Sequence, residues 1–126
     1  MAGTVTITEK LLNMVKKVTF DWSATTTGGL ASDTTTNSYD GEVLRVVAMG
    51  SASATGYALE IQDSDGIDLL GGQGAAMTSG GADFGTSTGG SKSYPLSAVS
   101  SKLSLAISGG STGGTASTGQ TIVYIR

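Results

Sequence analysis

The sequence contains no histidine and no cysteine. Without an imidazole base, every Ser–His–Asp or Cys–His arrangement is excluded, and the common zinc sites go with it. No disulfide can form, so stability has to come from packing and backbone pairing, and cysteine usage assigns no compartment. Charge is also scarce: seven Lys and Arg stand against ten Asp and Glu, for a net charge of −3. Lys16-Lys17 is the only adjacent basic pair, too little to neutralise a run of phosphates, so nucleic acid is not expected as a partner. No apolar stretch approaches the roughly 20 residues of a membrane span, so no membrane partner is expected. The start, Met1-Ala2-Gly3-Thr4-Val5-Thr6, has neither a basic nor an apolar leader region. The expected site of synthesis is a cytosol, with export only as part of something larger.

What is abundant is glycine, serine and threonine, 55 of 126 residues, against 35 large apolar side chains and 13 alanines. Ordering a glycine in a strand costs roughly 0.5–1 kcal/mol more than ordering alanine. A core this thin makes a lone monomer marginal and points to an oligomer or an assembly component. The length fits one domain.

Alternation dominates the patterning. Val5 and Ile7 alternate with threonines, and Leu11-Leu12-Asn13-Met14 then breaks the period as a bend or one short helical turn. Val18, Phe20 and Trp22 face one way, with Lys17, Thr19 and Asp21 the other. Residues 23–41 read as a loop or weakly paired edge ending in a turn at Tyr39-Asp40-Gly41. Val43 to Met49 is apolar on both faces, as a central strand would be. Tyr57, Leu59 and Ile61 form a strand that turns at Asp63-Ser64-Asp65-Gly66 and returns over Ile67 to Leu70. Residues 71–93 and 109–119 read as Gly/Ser/Thr-rich loops, with Tyr94-Pro95-Leu96 closing the first and Pro95 at an edge or turn. Leu103, Leu105 and Ile107 form another strand, and Ile122 to Ile125 the last. These seven or eight strands predict an all-β chain: residues 1–14 as an N-terminal strand or arm, and 15–126 as a single β-sandwich or jelly-roll-like small barrel with long Gly/Ser/Thr-rich loops.

Candidate chemistry is sparse. Asp63-Ser64-Asp65-Gly66-Ile67-Asp68 begins like a calcium loop, but its sixth position is Asp68 rather than glycine and its twelfth would be Gly74 rather than glutamate. It reads as a turn whose carboxylates cap backbone N–H groups. Asp21 and Glu60 lie on strands, yet the seven aromatics do not line a sugar cleft between them. Gly71-Gly72-Gln73-Gly74 lacks the helix that completes a phosphate loop. Trp22 alternates in phase with the core, Tyr39 is balanced between core and exposed platform, and Tyr57 is a third aromatic able to stack on a partner. Lys16-Lys17 reads as a solvated strand end. No catalytic, cofactor-binding or metal-ligating residue emerges, and the chain is expected not to be an enzyme.

Several segments carry a resemblance: Lys17-Val18-Thr19-Phe20-Asp21-Trp22; Thr34-Thr35-Thr36-Asn37-Ser38-Tyr39-Asp40-Gly41-Glu42 followed by Val43-Leu44-Arg45; and Asp63-Ser64-Asp65-Gly66-Ile67-Asp68-Leu69-Leu70 with Gly74-Ala75. Lys102-Leu103-Ser104-Leu105 and the ending Val123-Tyr124-Ile125-Arg126 belong to the same set. In this order they resemble a family of small proteins encoded by tailed bacteriophages, found among virion structural genes. Residues 77–93 are more Gly-rich than the family pattern. The resemblance implies a virion component and brings no enzymatic residues. The expectation is a capsid decoration or cement protein, a homotrimer on the outside of the head, bound to the major capsid protein and made in the host bacterial cytoplasm. A neck, tail or fibre component is the alternative within that class. A host-surface glycan-binding module using the Gly-rich loops with Trp22 or Tyr39 is the alternative outside it.

Overall fold

A computed structural model describes residues 3–12, 14–25, 29–50, 57–70, 82–85, 92–93, 98–109, 111–112 and 115–126. The chain is all-β, and among the described residues there is no helix. Among the described residues twelve strands follow in order: β1 (Thr4–Leu12), β2 (Val15–Ser23), β3 (Ala31–Thr34), β4 (Tyr39–Gly50), β5 (Ala58–Gln62), β6 (Ala82–Gly85), β7 (Lys92–Ser93), β8 (Ala98–Ser101), β9 (Ser104–Ser108), β10 (Ser111–Thr112), β11 (Thr115–Ala116) and β12 (Thr118–Ile125).

They form two main sheets and a short β10–β11 ribbon. The larger sheet has the order β1-β2-β12-β4-β6-β7, with β8 pairing the first residues of β4. The smaller has the order β3-β9-β5. Pairing is antiparallel except between β6 and β7. One buried cluster draws on both sheets: Val18, Phe20, Trp22, Val46, Val123 and Ile125 from the larger, Leu59, Ile61, Leu105 and Ile107 from the smaller. In β2, β5 and β9 the period-2 pattern dictates this, because alternate side chains point to one face and that face is the apolar one.

β4 shows how the register is adjusted. Tyr124 pairs with Arg45 but Ile125 pairs with Val43, so Leu44 is an extra residue, a β-bulge. The bulge shifts the phase and lets Val43, Val46 and Ala48 all bury. Gly41 lies within β4 rather than in a turn, at φ +138°. A Cβ there would stand 2.3 Å from the carbonyl oxygen of Arg126. The chain's last residue is held at that spot by two backbone bonds, Glu42 N–H to Arg126 O at 2.8 Å and Arg126 N–H to Glu42 O at 2.9 Å. Only glycine permits so close an approach with that φ.

Several expectations need correction. Leu11 and Leu12 continue β1, and Leu12 pairs with Val15, so β1 and β2 are a hairpin with no helical turn in the described residues; Asn13 lies outside them. Of the two readings of 23–41, loop or weakly paired edge, the second fits residues 31–34, which form the four-residue edge strand β3 with Ala31 as its only buried residue. Ile67 to Leu70 is not a return strand. A single bridge joins Gln62 to Asp68, and β5 pairs instead with β9. Consecutive burial of Leu69 and Leu70, with Ile67 60% exposed, is incompatible with strand alternation. The supposed loops at 71–93 and 109–119 contain β6, β7, β10, β11 and the start of β12. Residues 71–81 and 94–97, with Tyr94, Pro95 and Leu96, lie outside the described residues, as does the 71–74 glycine motif.

Candidate interaction surface

The residues proposed from sequence are dispersed. Asp21 sits on the outer face of the larger sheet, where its carboxylate accepts a bond from Gln120 Nε2 at 2.9 Å. It lines a shallow groove of about 440 Å³ with Met49, Gly119 and Gln120. Glu60 belongs to the outer face of the smaller sheet, beside a groove of about 300 Å³ with Leu30, Ser32 and Ala106. The two carboxylates are therefore on separate faces with the core between them, and cannot flank one substrate.

Aromatic side chains are taken up by the core. Trp22 and Tyr57 are buried and pack with ring centroids 5.2 Å apart, tilted by 54°. Trp22 also lies against Gly119, where a Cβ would fall 2.3 Å from the indole Cζ2. Trp22 Nε1, the Tyr57 hydroxyl and Thr121 Oγ1 are buried without a hydrogen-bond partner among the described residues. Burial raises the Tyr57 pKa. Tyr39 is buried too, which removes it as a platform. Its hydroxyl donates to Glu9 Oε1, which also accepts the Asn37 N–H at 3.2 Å. Burial first, then the bond to and charge of Glu9, push the Tyr39 pKa well above its ordinary value. This contact ties β1 to the segment entering β4. Lys16 adds a second tie, its Nζ donating to Asp40 O at 2.9 Å.

The Asp63–Asp68 segment is a capped turn. Asp63 Oδ1 accepts the N–H of Asp65 at 2.9 Å and of Ile67 at 3.0 Å. Gly66 N–H reaches Asp63 O at 3.1 Å, and Gly66 adopts φ +79°. Asp68 Oδ1 accepts from Leu70 N–H at 3.0 Å and Ile61 N–H at 3.3 Å. These carboxylates serve the backbone, as the turn reading expects.

What the sequence conceals is a row of cations. Lys10 pairs with Lys17, Lys17 with Tyr124, and Tyr124 with Arg45. Adjacent strands are about 4.8 Å apart, so residues from four strands, drawn from three separate parts of the chain, form one line on the outer face of the larger sheet. At the same end, the β1–β2 hairpin carries Leu11, 72% exposed, and Met14, 78% exposed. In its hairpin, β1 is also an edge strand of nine residues with no break in register. The edge of β5 is occupied by Asp68 and by Leu69, whose N–H reaches Ile61 O at 2.7 Å. β3 is only four residues long, and Asp33 Oδ1 takes the N–H of Thr34 at 2.8 Å. Among the described strands, β1 is the long edge without such a cap.

No family model matches the chain, and no curated protein or solved structure matches it either.

Proposed function

We propose that this chain is a structural protein of a tailed-bacteriophage virion, a head decoration or cement protein that binds the major capsid protein on the capsid surface. On this reading it is a single β-sandwich, a homotrimer, and not an enzyme. The observation that carries the reading is the β1–β2 hairpin, whose nine-residue outer strand pairs with no further strand among the described residues, with Leu11 and Met14 exposed near its tip. Such a feature is a hazard on a solitary monomer and an asset on a protein that is covered when assembled. The ordered resemblance to phage virion proteins supplies the setting, and repetition over a symmetric shell turns a weak contact into a firm one. Burial of Trp22 and Tyr39 removes the aromatic platform that a glycan-binding module would use. Purified virions should contain the protein at a copy number comparable with that of the capsid subunits, measured by quantitative mass spectrometry. A few tens of copies or fewer would place it in the neck, tail or fibre and overturn the head reading.

A further inference from the structure

Among the described residues β1 is nine residues long and pairs on one side only, with β2. Its other side carries backbone N–H and C=O groups that a further strand can take up. The usual deterrents to such pairing are weak here. β1 contains no proline, and its one inward charge, Glu9, is engaged by the Tyr39 hydroxyl and the Asn37 N–H. Thr4, Thr6, Thr8 and Lys10 are exposed on the outer face, while Val5, Ile7 and Glu9 are half-buried on the inner one. Leu11 continues the inner row and is 72% exposed, so that row runs past what the core covers.

We propose that the occupant of this edge is β1 of a second copy, paired antiparallel about a two-fold axis through Thr8. Among the described strands a second copy offers β1 no other match. β7 has two residues and β3 four, and Asp68 and Leu69 occupy the edge of β5. This rests on the self-association proposed above, and adds an isologous contact that joins one trimer to the next.

Full overlap of Thr4–Leu12 with itself fixes the register. Thr8 faces the partner's Thr8, Thr6 the partner's Lys10, Ile7 the partner's Glu9, and Val5 the partner's Leu11. Facing residues differ by an even number of positions, so outer face meets outer face and inner meets inner. Neither charge faces its own copy, and the two Lys10 residues stand about 14 Å apart along the strands. Registers centred on Glu9 or Lys10 would set like charges directly opposite each other, which weakens pairing. In the proposed register the exposed Leu11 gains the cover of an apolar neighbour, and the larger sheet runs through both copies.

The chain has no cysteine, so introduced cysteines report the register. Facing residues of an antiparallel pair have Cα atoms about 4.5–5.5 Å apart, within disulfide reach. Under mild oxidation Thr8→Cys should give a covalent dimer on a denaturing gel. Thr6→Cys alone should not, and Thr6→Cys with Lys10→Cys should. Sedimentation of the full chain then reads the strength of the contact. Thr6→Lys faces Asp21 in its own chain, which favours the fold, but faces Lys10 of the partner subunit. Pairing should weaken about two- to thirtyfold, because the two-fold axis makes two like-charge pairs at once. Lys10→Glu faces Lys17 in its own chain and, combined with Thr6→Lys, should restore the pairing. An oligomer in which Thr8→Cys cross-links no better than Thr6→Cys overturns this contact and leaves the self-association intact. A monomer at every concentration overturns both. Protection of β1 amides from hydrogen exchange on virions alone, with no cross-link between copies, would give the edge to the capsid protein and overturn the proposal.

Discussion

Replacing Gly119 by alanine places a methyl group where the Trp22 ring now lies. The new Cβ would be 2.3 Å from Cζ2, 2.5 Å from Cε2 and 2.6 Å from the carbonyl oxygen of Met49. Trp22 cannot simply retreat, because it is buried and packed on Tyr57 with ring centroids 5.2 Å apart. Forcing an extra methyl into a filled core costs about 1–3 kcal/mol. Against this, alanine in a strand is better than glycine by about 0.5–1 kcal/mol. The net expectation is a destabilisation of about 1–2 kcal/mol. With a urea slope of about 1–3 kcal/mol/M, the midpoint should fall by about 1 M. Far-UV circular dichroism is the assay, since it does not depend on the single tryptophan. Trp22→Phe removes Cζ2, so Gly119→Ala added to that variant should cost at least about 1 kcal/mol less than in the unmodified protein. A neutral or stabilising Gly119→Ala, or an equal cost in both backgrounds, would refute the claim that the indole rests on this glycine.

Three further expectations follow from the same core. Tyr57→Phe deletes a buried hydroxyl that has no partner among the described residues, so stability should be unchanged or higher, by up to about 1–3 kcal/mol; a clear loss in urea unfolding would show that the hydroxyl is bonded. Gly41→Ala combines a φ of +138° with a 2.3 Å approach to Arg126 O, and should lower stability by more than about 1 kcal/mol in the same measurement. Tyr39 has its folded-state pKa raised by burial and by Glu9, so the folded protein holds the phenolic proton more tightly than the unfolded chain. That stability is complete below about pH 10 and is lost as pH rises beyond it. Urea midpoints across the alkaline range should therefore decline, and Tyr39→Phe with Tyr57→Phe should flatten the decline.

Where burial and alternation coincide, the strands are legible from the residues alone. Val18, Phe20 and Trp22, Leu59 and Ile61, and Leu103, Leu105 and Ile107 are all buried as their spacing requires. Val43 to Met49 is a central strand between β12 and β6, as its two apolar faces imply. Legibility fails where a strand has little to alternate. β3 buries only Ala31, and β10 and β11 are two residues each. It also fails where glycine has two meanings. Asp40-Gly41 looks like a turn, but Gly41 makes room for the backbone of Arg126, a contact between chain positions 85 residues apart.

The cation row shows why the candidate surface was the least legible part. Composition argues correctly that seven Lys and Arg in 126 residues form no cluster along the chain. Register decides otherwise in space, by setting Lys10 beside Lys17 and placing Tyr124 between Lys17 and Arg45. A one-residue slip of β1 against β2 would move Lys10 to the other face and expose Val5 and Ile7 in its place. Packing of Val5 and Ile7 against the core opposes that slip, so the inner face fixes the charge pattern of the outer one. The like-charge pair is therefore a consequence of core register that the hairpin must tolerate in isolation.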